Sequence, residues 1–475
     1  MNNIIELLYK DYLDNPNRLA FVDSNRSLTY EEAFKETLAK ASFLLEKGIY
    51  GQPIIVKVNR TIDSLISFFA ILLSNNYYIP IDEEVPAEKL SKIINLSGAK
   101  YYLSFVEDSL NIEKINFAKP TKICEFIDFS KQFNAENYSY LMFTSGSTGE
   151  PKGVIKTHKN IISFVDNFVD TFSFLGNERI ANQTPFFFDA SAKDIYLTLK
   201  LGGTMFIPDK TVFSLPTETV KYLNDNWITF ICWVPSILTM IAKTRTLSYV
   251  KPEALKYVFF VGEVFQPKYL NMWIESMKNT RFFNVYGSTE VMGIALEYEI
   301  KDIFIGETIP LGKPLKNNKV YLENDEIVID SDQVAKGYVN NNQSGTFKKN
   351  SQGKTLLYTG DYAKHDKDGN IVFVSRKDFQ IKHLGYRIEL QEIEAAVTNF
   401  EYVDTCCAIY DEINDKIVLF VKAYRELDNP SKTIIKDCKE ELQFYMVPNK
   451  VIMVDEMPLN KNGKIDRVSL KKGLE

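Results

Sequence analysis

YLMFTSGSTGEPKGV occupies residues 140–154 and decides how the rest of the chain is read. SYLMF has the texture of a buried strand. It opens into TSGSTGEPKG (144–153), which crowds Thr144, Ser145, Ser147 and Thr148 among Gly146, Gly149 and Gly153, with Lys152 near the end. Glycines let backbone N–H groups approach an anion closely, hydroxyls donate to phosphate oxygens, and a lysine adds a point charge. Together they describe a polyphosphate clasp. It is not a Walker A loop, because Pro151 precedes the lysine and no Ser or Thr follows it. The one GKT in the chain, Gly353 to Thr355, has Lys348 where that motif needs its first glycine, and reads as a surface turn.

Outward from this loop, 475 residues exceed one ordinary core and imply at least two domains. With 45% hydrophobic and 25% charged residues the composition is that of a globular protein. Lys and Arg total 56 against 62 Asp and Glu, a net charge of -6 without a basic arm, so no nucleic-acid partner is expected. The five cysteines lack C-x-x-C spacing, which argues against a disulfide framework or zinc cluster and fits a reducing, cytoplasmic setting. The start, MNNIIELLYKDYLDNP, lacks the pattern of a signal peptide. The longest apolar run, Ile66 to Leu73, is too short for a membrane span and reads as a buried helix.

Strand-like runs such as PIIVKV, YVFFVG and NIVFVS alternate with helical patterns such as TYEEAFKETLAKASFLLEKG, which predicts α/β architecture with sheets covered by helices. Thr29 and Glu32 have capping-box spacing, and Gly48 stands where that helix would stop. Beyond Tyr358 a turn at DKDGN (366–370) joins two extended segments, and a helix and more strands follow. The expected division is a large N-terminal α/β domain, residues 1–377, and a small α+β C-terminal domain, residues 378–475.

The stretch 140–154 closely resembles the signature of the adenylate-forming ligases, the superfamily of acyl-CoA synthetases, luciferases and peptide-synthetase adenylation domains. Further motifs of that family follow in order: FDAS (188–191), NVYGSTE (284–290), YTGD (358–361), RKDFQIKHLGYRIELQEIE (376–394) and LNKNGKIDR (459–467). The resemblance implies ATP and Mg2+ as cofactors. It places the phosphate loop from Thr144 to Lys152 on the nucleotide, with Asn284, Tyr286, Gly287, Ser288 and Thr289 beside it. Tyr286 resembles the aromatic that stacks on adenine and Glu290 the magnesium-associated carboxylate, an oxygen ligand as a hard cation requires. Asp361 resembles the carboxylate on the ribose hydroxyls, and Arg376 an arginine reaching ribose or phosphate. Lys464 resembles the lysine that stabilises charge as a carboxylate attacks the α-phosphorus. Asp378 resembles a hinge about which the small domain turns to admit a thiol. Of the histidines, His158 resembles a position on the ligand approach, His383 one near the thiol path, and His365 a surface strand residue. Ser288, where the family usually has proline, and Ser375, where it usually has glycine, mark a divergent member.

FDASAKDIY bears on which acid is activated. Asp189 stands where the amino-acid-activating branch pairs a carboxylate with the substrate ammonium, since a buried ammonium needs a counter-charge. Its alternative is a helix cap. Other wording, FVGEV (260–264) among it, leans toward the D-alanine:carrier-protein ligases. Lys193, four residues after Asp189, departs from them and would favour an acidic substrate such as aspartate or glutamate unless it points into solvent. Ala190, Ser236, Phe259, Val261, Val285, Gly293 and Ile294 resemble the remaining pocket walls. The expected activity is that of a stand-alone ligase that makes an aminoacyl-adenylate and passes it to the phosphopantetheine thiol of a separate carrier protein. An acyl- or aryl-CoA ligase is the nearest alternative, and a nucleotide-binding regulator without turnover a further one.

Overall fold

A computed structural model describes residues 1–106, 110–144, 150–339, 345–376, 380–425, 428–459 and 465–474. Its chain packs as two compact units, one of Met1–Glu83, Ile94–Met142 and Gly153–Ser375, the other of Glu84–Ile93, Phe143–Lys152 and Arg376–Glu475. The second unit therefore takes in two short segments from early in the chain, which no local pattern announces.

The first unit is built on two large sheets. Among the described residues a nine-stranded sheet has Arg179–Ala181, Phe230–Trp233, Tyr257–Val261 and Arg281–Tyr286 as parallel neighbours, with Leu296–Ile300 returning antiparallel. A seven-stranded sheet sets Tyr77–Asp82 between Pro53–Val58 and Tyr138–Thr144, all parallel, with Lys152–Thr157 beyond. Parallel strands are covered on both faces, so they read as unbroken apolar runs rather than alternating ones. Every residue of PIIVKV is buried, Lys57 included.

Helices fill the space between the sheets. Ile62–Leu73 is buried at every position but Asp63, which explains an apolar run that is neither amphipathic nor membrane-spanning. No helix among the described residues is long and apolar enough to cross a membrane. Asp189–Leu201 is likewise buried along most of its length, and one continuous core joins its Ala192, Ile195, Tyr196 and Leu199 to Tyr78 and Tyr140 of the seven-stranded sheet and Phe259 and Phe283 of the nine-stranded one. It ends on Gly202 in the left-handed conformation, φ 58°, where a Cβ would stand 2.9 Å from the Asp11 carboxylate. The Thr29–Glu32 capping box forms as its spacing predicts, and Gly48 follows that helix with φ +68°. A smaller five-stranded sheet contains Thr355–His365 and Ile371–Arg376, joined through the DKDGN turn, where the Asp366 carboxylate accepts from the N–H groups of Asp368 and Asn370.

The second unit carries the hairpin Gln380–His383 with Tyr386–Glu389, the helix Leu390–Thr398, and a three-stranded sheet of Val403–Asp411, Lys416–Ala423 and Lys450–Met453. Within it Lys89 pairs with Glu392 at 3.0 Å and donates to Gln443 at 3.0 Å, which ties the segment Glu84–Ile93 to the α+β body.

Candidate active site

Strand Tyr138–Thr144 and its neighbour Lys152–Thr157 flank the glycine-rich loop, whose residues Ser145, Gly146, Ser147, Thr148 and Gly149 lie outside the described residues, as do Asp378 and Lys464. Of the predicted site positions among the described residues, three belong to the second unit: Thr144, whose buried Oγ1 has no hydrogen-bond partner among the described residues, Lys152, which opens its strand, and Arg376, which closes Ile371–Arg376. The other described ATP- and substrate-site positions fall in the first unit.

Tyr140 reaches inward from its strand, in register with Tyr78 and stacked on it with ring centres 5.3 Å apart. Its hydroxyl donates to Asp189 Oδ1 at 2.7 Å and also approaches Met292 Sδ at 2.9 Å. The hydroxyls of Tyr78 and Tyr196 meet behind it at 2.8 Å. Asp189 is the first residue of its helix, Phe188 is the cap, and no side-chain cap bond forms. The carboxylate is thus held by a phenol, not spent on helix capping. Burial pushes it up to about 6, against the pull of Lys156 and the Tyr140 hydrogen bond.

Lys193 follows Asp189 by one helical turn and is only 2% exposed, so it does not point into solvent. Its Nζ pairs with Asp194 Oδ1 at 3.0 Å, while Asp194 Oδ2 accepts from Asn182 Nδ2 at 3.0 Å. Burial works against the Lys193 charge, but Asp194 and the Cys232 sulfur together outweigh it and hold the ammonium above its ordinary value. This charge, expected to face a substrate carboxylate, already has its counter-charge within the protein.

A second buried lysine was missed by sequence reasoning. Lys156 lies on Lys152–Thr157, is fully buried, and its Nζ has no hydrogen-bond partner among the described residues. Burial pulls it down to about 8, although Asp189 and Glu290 both act to raise it. The available signal was register: Lys156 shares a strand face with buried Val154, where an apolar residue is expected.

Glu290 is buried, and its Oε1 accepts from the Tyr338 hydroxyl at 2.9 Å. Tyr286 donates its hydroxyl to Asp361 Oδ2, so the two residues expected on the nucleoside touch each other. Asn284 turns its Nδ2 to the Pro310 carbonyl at 2.7 Å. Ser288 and Thr289 are half-buried between these groups. Gly287 admits no side chain, because a Cβ there would stand 2.0 Å from the Gly293 carbonyl oxygen. Gly293 has φ +68°, and its open side is occupied by the Phe164 ring, 2.5 Å from where a Cβ would be. Of the other expected walls, Val285 and Ile294 are buried, Ala190 and Val261 partly so, and Phe259 stacks on Phe283 with ring centres 4.7 Å apart. The Ser236 N–H donates to Glu263 Oε2 at 2.9 Å.

The histidines have structural surroundings. His158 is buried at the start of a helix and accepts the Ile4 N–H on Nδ1 at 3.4 Å; His383 Nδ1 lies 2.8 Å from Asp415, and His365 is exposed at a strand end. Among the described residues no group of three or more His, Cys, Asp or Glu side chains could hold a metal.

The chain is similar to known proteins. A profile of the AMP-binding enzymes matches residues 10–339, and that of the AMP-binding enzyme C-terminal domain matches residues 392–464. The D-alanine–D-alanyl carrier protein ligase of Bacillus licheniformis is 30% identical over 98% of this chain and 99% of its own length. Gramicidin S synthase 1 of Brevibacillus brevis is 28% identical over 98% of the chain, which spans only 44% of that larger protein. Among solved structures, the Vibrio cholerae adenylation domain AlmE, in complex with glycyl-adenosine-5'-phosphate, superposes with a TM-score of 0.86 at 18% identity, covering 100% of this chain and 98% of that one. At that identity the likeness speaks to fold alone.

Proposed function

The chain belongs to the AMP-binding enzymes, as an ATP-dependent, AMP-forming ligase, and from that premise we propose that it activates a small amino acid and transfers it to the phosphopantetheine thiol of a carrier protein. The observation that carries the amino-acid reading is Asp189: a carboxylate buried at a helix start and oriented by Tyr140, suited to receive an ammonium. Ligases for D-alanyl carrier proteins that align along nearly their whole length support the carrier as acceptor. Phe164 against Gly293, and Phe259 locked into an aromatic stack, favour a short side chain. Because Asp194 neutralises Lys193, selection of aspartate or glutamate through Lys193 is not favoured.

In this reading a carboxylate oxygen of the substrate attacks the α-phosphorus of ATP, the bond to the bridging oxygen breaks, and pyrophosphate leaves. The thiol then attacks the acyl carbon and AMP departs. Asp189 fixes the ammonium and thereby aims the attacking carboxylate. Tyr286 and Asp361 bind the nucleoside. Lys464 is assigned the charge that builds on the phosphoryl oxygens. Glu290 offers the hard oxygen donor that magnesium takes alongside phosphate oxygens, and a bound ion would neutralise charge on the pyrophosphate. Amino-acid-dependent exchange of labelled pyrophosphate into ATP tests the proposal. Exchange with simple carboxylic acids but with no amino acid would sink it.

A further inference from the structure

The described part of the first unit holds two wholly buried lysines in the neighbourhood of Asp189, and they differ in one respect. Lys193 is ion-paired with Asp194, whereas the ammonium of Lys156 has no hydrogen-bond partner among the described residues. An ammonium removed from water without acceptors is strongly unfavourable, and an apolar residue of similar length would relieve the cost. Methionine or leucine would fit the strand pattern set by Val154. A charge kept under these conditions points to an acceptor that arrives with a ligand.

Its position says which ligand. Lys156 lies on the strand hydrogen-bonded to the one that carries Tyr140, and Tyr140 holds Asp189. Lys156 feels the charge of Asp189 and of Glu290 without hydrogen-bonding to either. The interior around Asp189 thus presents an anion for an ammonium and, nearby, a cation with donors to spare. We infer that Lys156 is a specificity-determining residue that donates to an oxygen acceptor on the substrate side chain, so that the amino acid bears a short side chain with a hydroxyl, carboxamide or carboxylate. This rests on the amino-acid reading of Asp189. The ring of Phe164 against Gly293 keeps that side chain short.

The test is pyrophosphate exchange by the full chain with alanine, serine, asparagine and aspartate, each as the L and D form. The expected result is an oxygen-bearing amino acid preferred over alanine of the same hand by at least about tenfold in kcat/KM. In Lys156→Met that ratio should fall toward one, while Lys156→Gln, which keeps a donor, should retain part of it. Alanine preferred over every oxygen-bearing amino acid by the unmodified protein, or a ratio unchanged in Lys156→Met, overturns the inference and leaves the amino-acid reading standing. Exchange with no amino acid overturns both. Should Lys156→Met not fold, the preference of the unmodified protein and the Lys156→Gln ratio still decide.

Discussion

Two acidic side chains, five residues apart in sequence, differ in how far the protein itself pairs them. Asp194 is consumed by Lys193 and Asn182, whereas Asp189 has a single phenolic donor on Oδ1, and the proposed function assigns it the substrate ammonium. Burial raises the Asp189 carboxyl from 3.8 to about 6. The sign for binding follows: an ammonium is held by the ionised form, so KM for the amino acid should fall as pH rises from 5 to 7. Asp189→Asn should abolish that dependence and raise KM by about 100-fold or more, read from exchange kinetics across the pH series. The sign for stability is the reverse, because a raised acid stabilises the fold below pH 3.8 and that contribution is lost as pH climbs through about 6. For Lys193, removing one member of a buried pair leaves Asp194 uncompensated, so Lys193→Met should cost about 3–5 kcal/mol in denaturant unfolding. Replacing Asp194 by leucine in the same chain should recover much of it. A Lys193→Met variant that keeps its stability and changes its preferred amino acid would contradict this picture.

Secondary-structure elements decide how close these side chains come. The segment after strand Arg281–Tyr286 folds back so tightly that Gly287 faces the Gly293 carbonyl where a Cβ would lie 2.0 Å away. Gly287→Ala must therefore move backbone rather than a flexible side-chain tip, and a loss exceeding about 4 kcal/mol is expected in thermal or denaturant melts. Much at this scale was legible from sequence. The Thr29–Glu32 box, the stop at Gly48, the buried run Ile66 to Leu73 and the DKDGN turn each depend on neighbours within a few residues, and each forms as read. Lys156 was not legible. A lysine in KGVIKTHKN looks like one more surface charge until strand pairing shows which face is inward.

Over the whole molecule, buried ionisable groups govern the response to acid. His158 accepts the Ile4 N–H on Nδ1, so its neutral ring carries the proton on Nε2, and burial pulls the group from 6.5 to about 3. A depressed base stabilises the fold above pH 6.5, and that contribution is lost as pH falls through about 3, at about 1.4 kcal/mol per pH unit for one proton. Asp189 and Asp11, both raised to about 6, work the other way between 3.8 and 6, so the loss should steepen only below that range. A His158→Gln variant lacks the acid-linked loss. Its melting-temperature deficit against the parent should shrink as pH is lowered from 7 to 4, and a deficit that widens would refute the assignment. The sequence by itself determined the α/β class, the family and the order of its motifs, because apolar periodicity, caps and a glycine-rich loop act over short stretches of chain. Only the tertiary structure decided that Lys193 is matched by Asp194, that Tyr286 meets Asp361, and that Lys156 stands buried near Asp189 and unpartnered among the described residues. Burial and pairing are properties of residues brought together across sheets, and charge alone does not announce its partner.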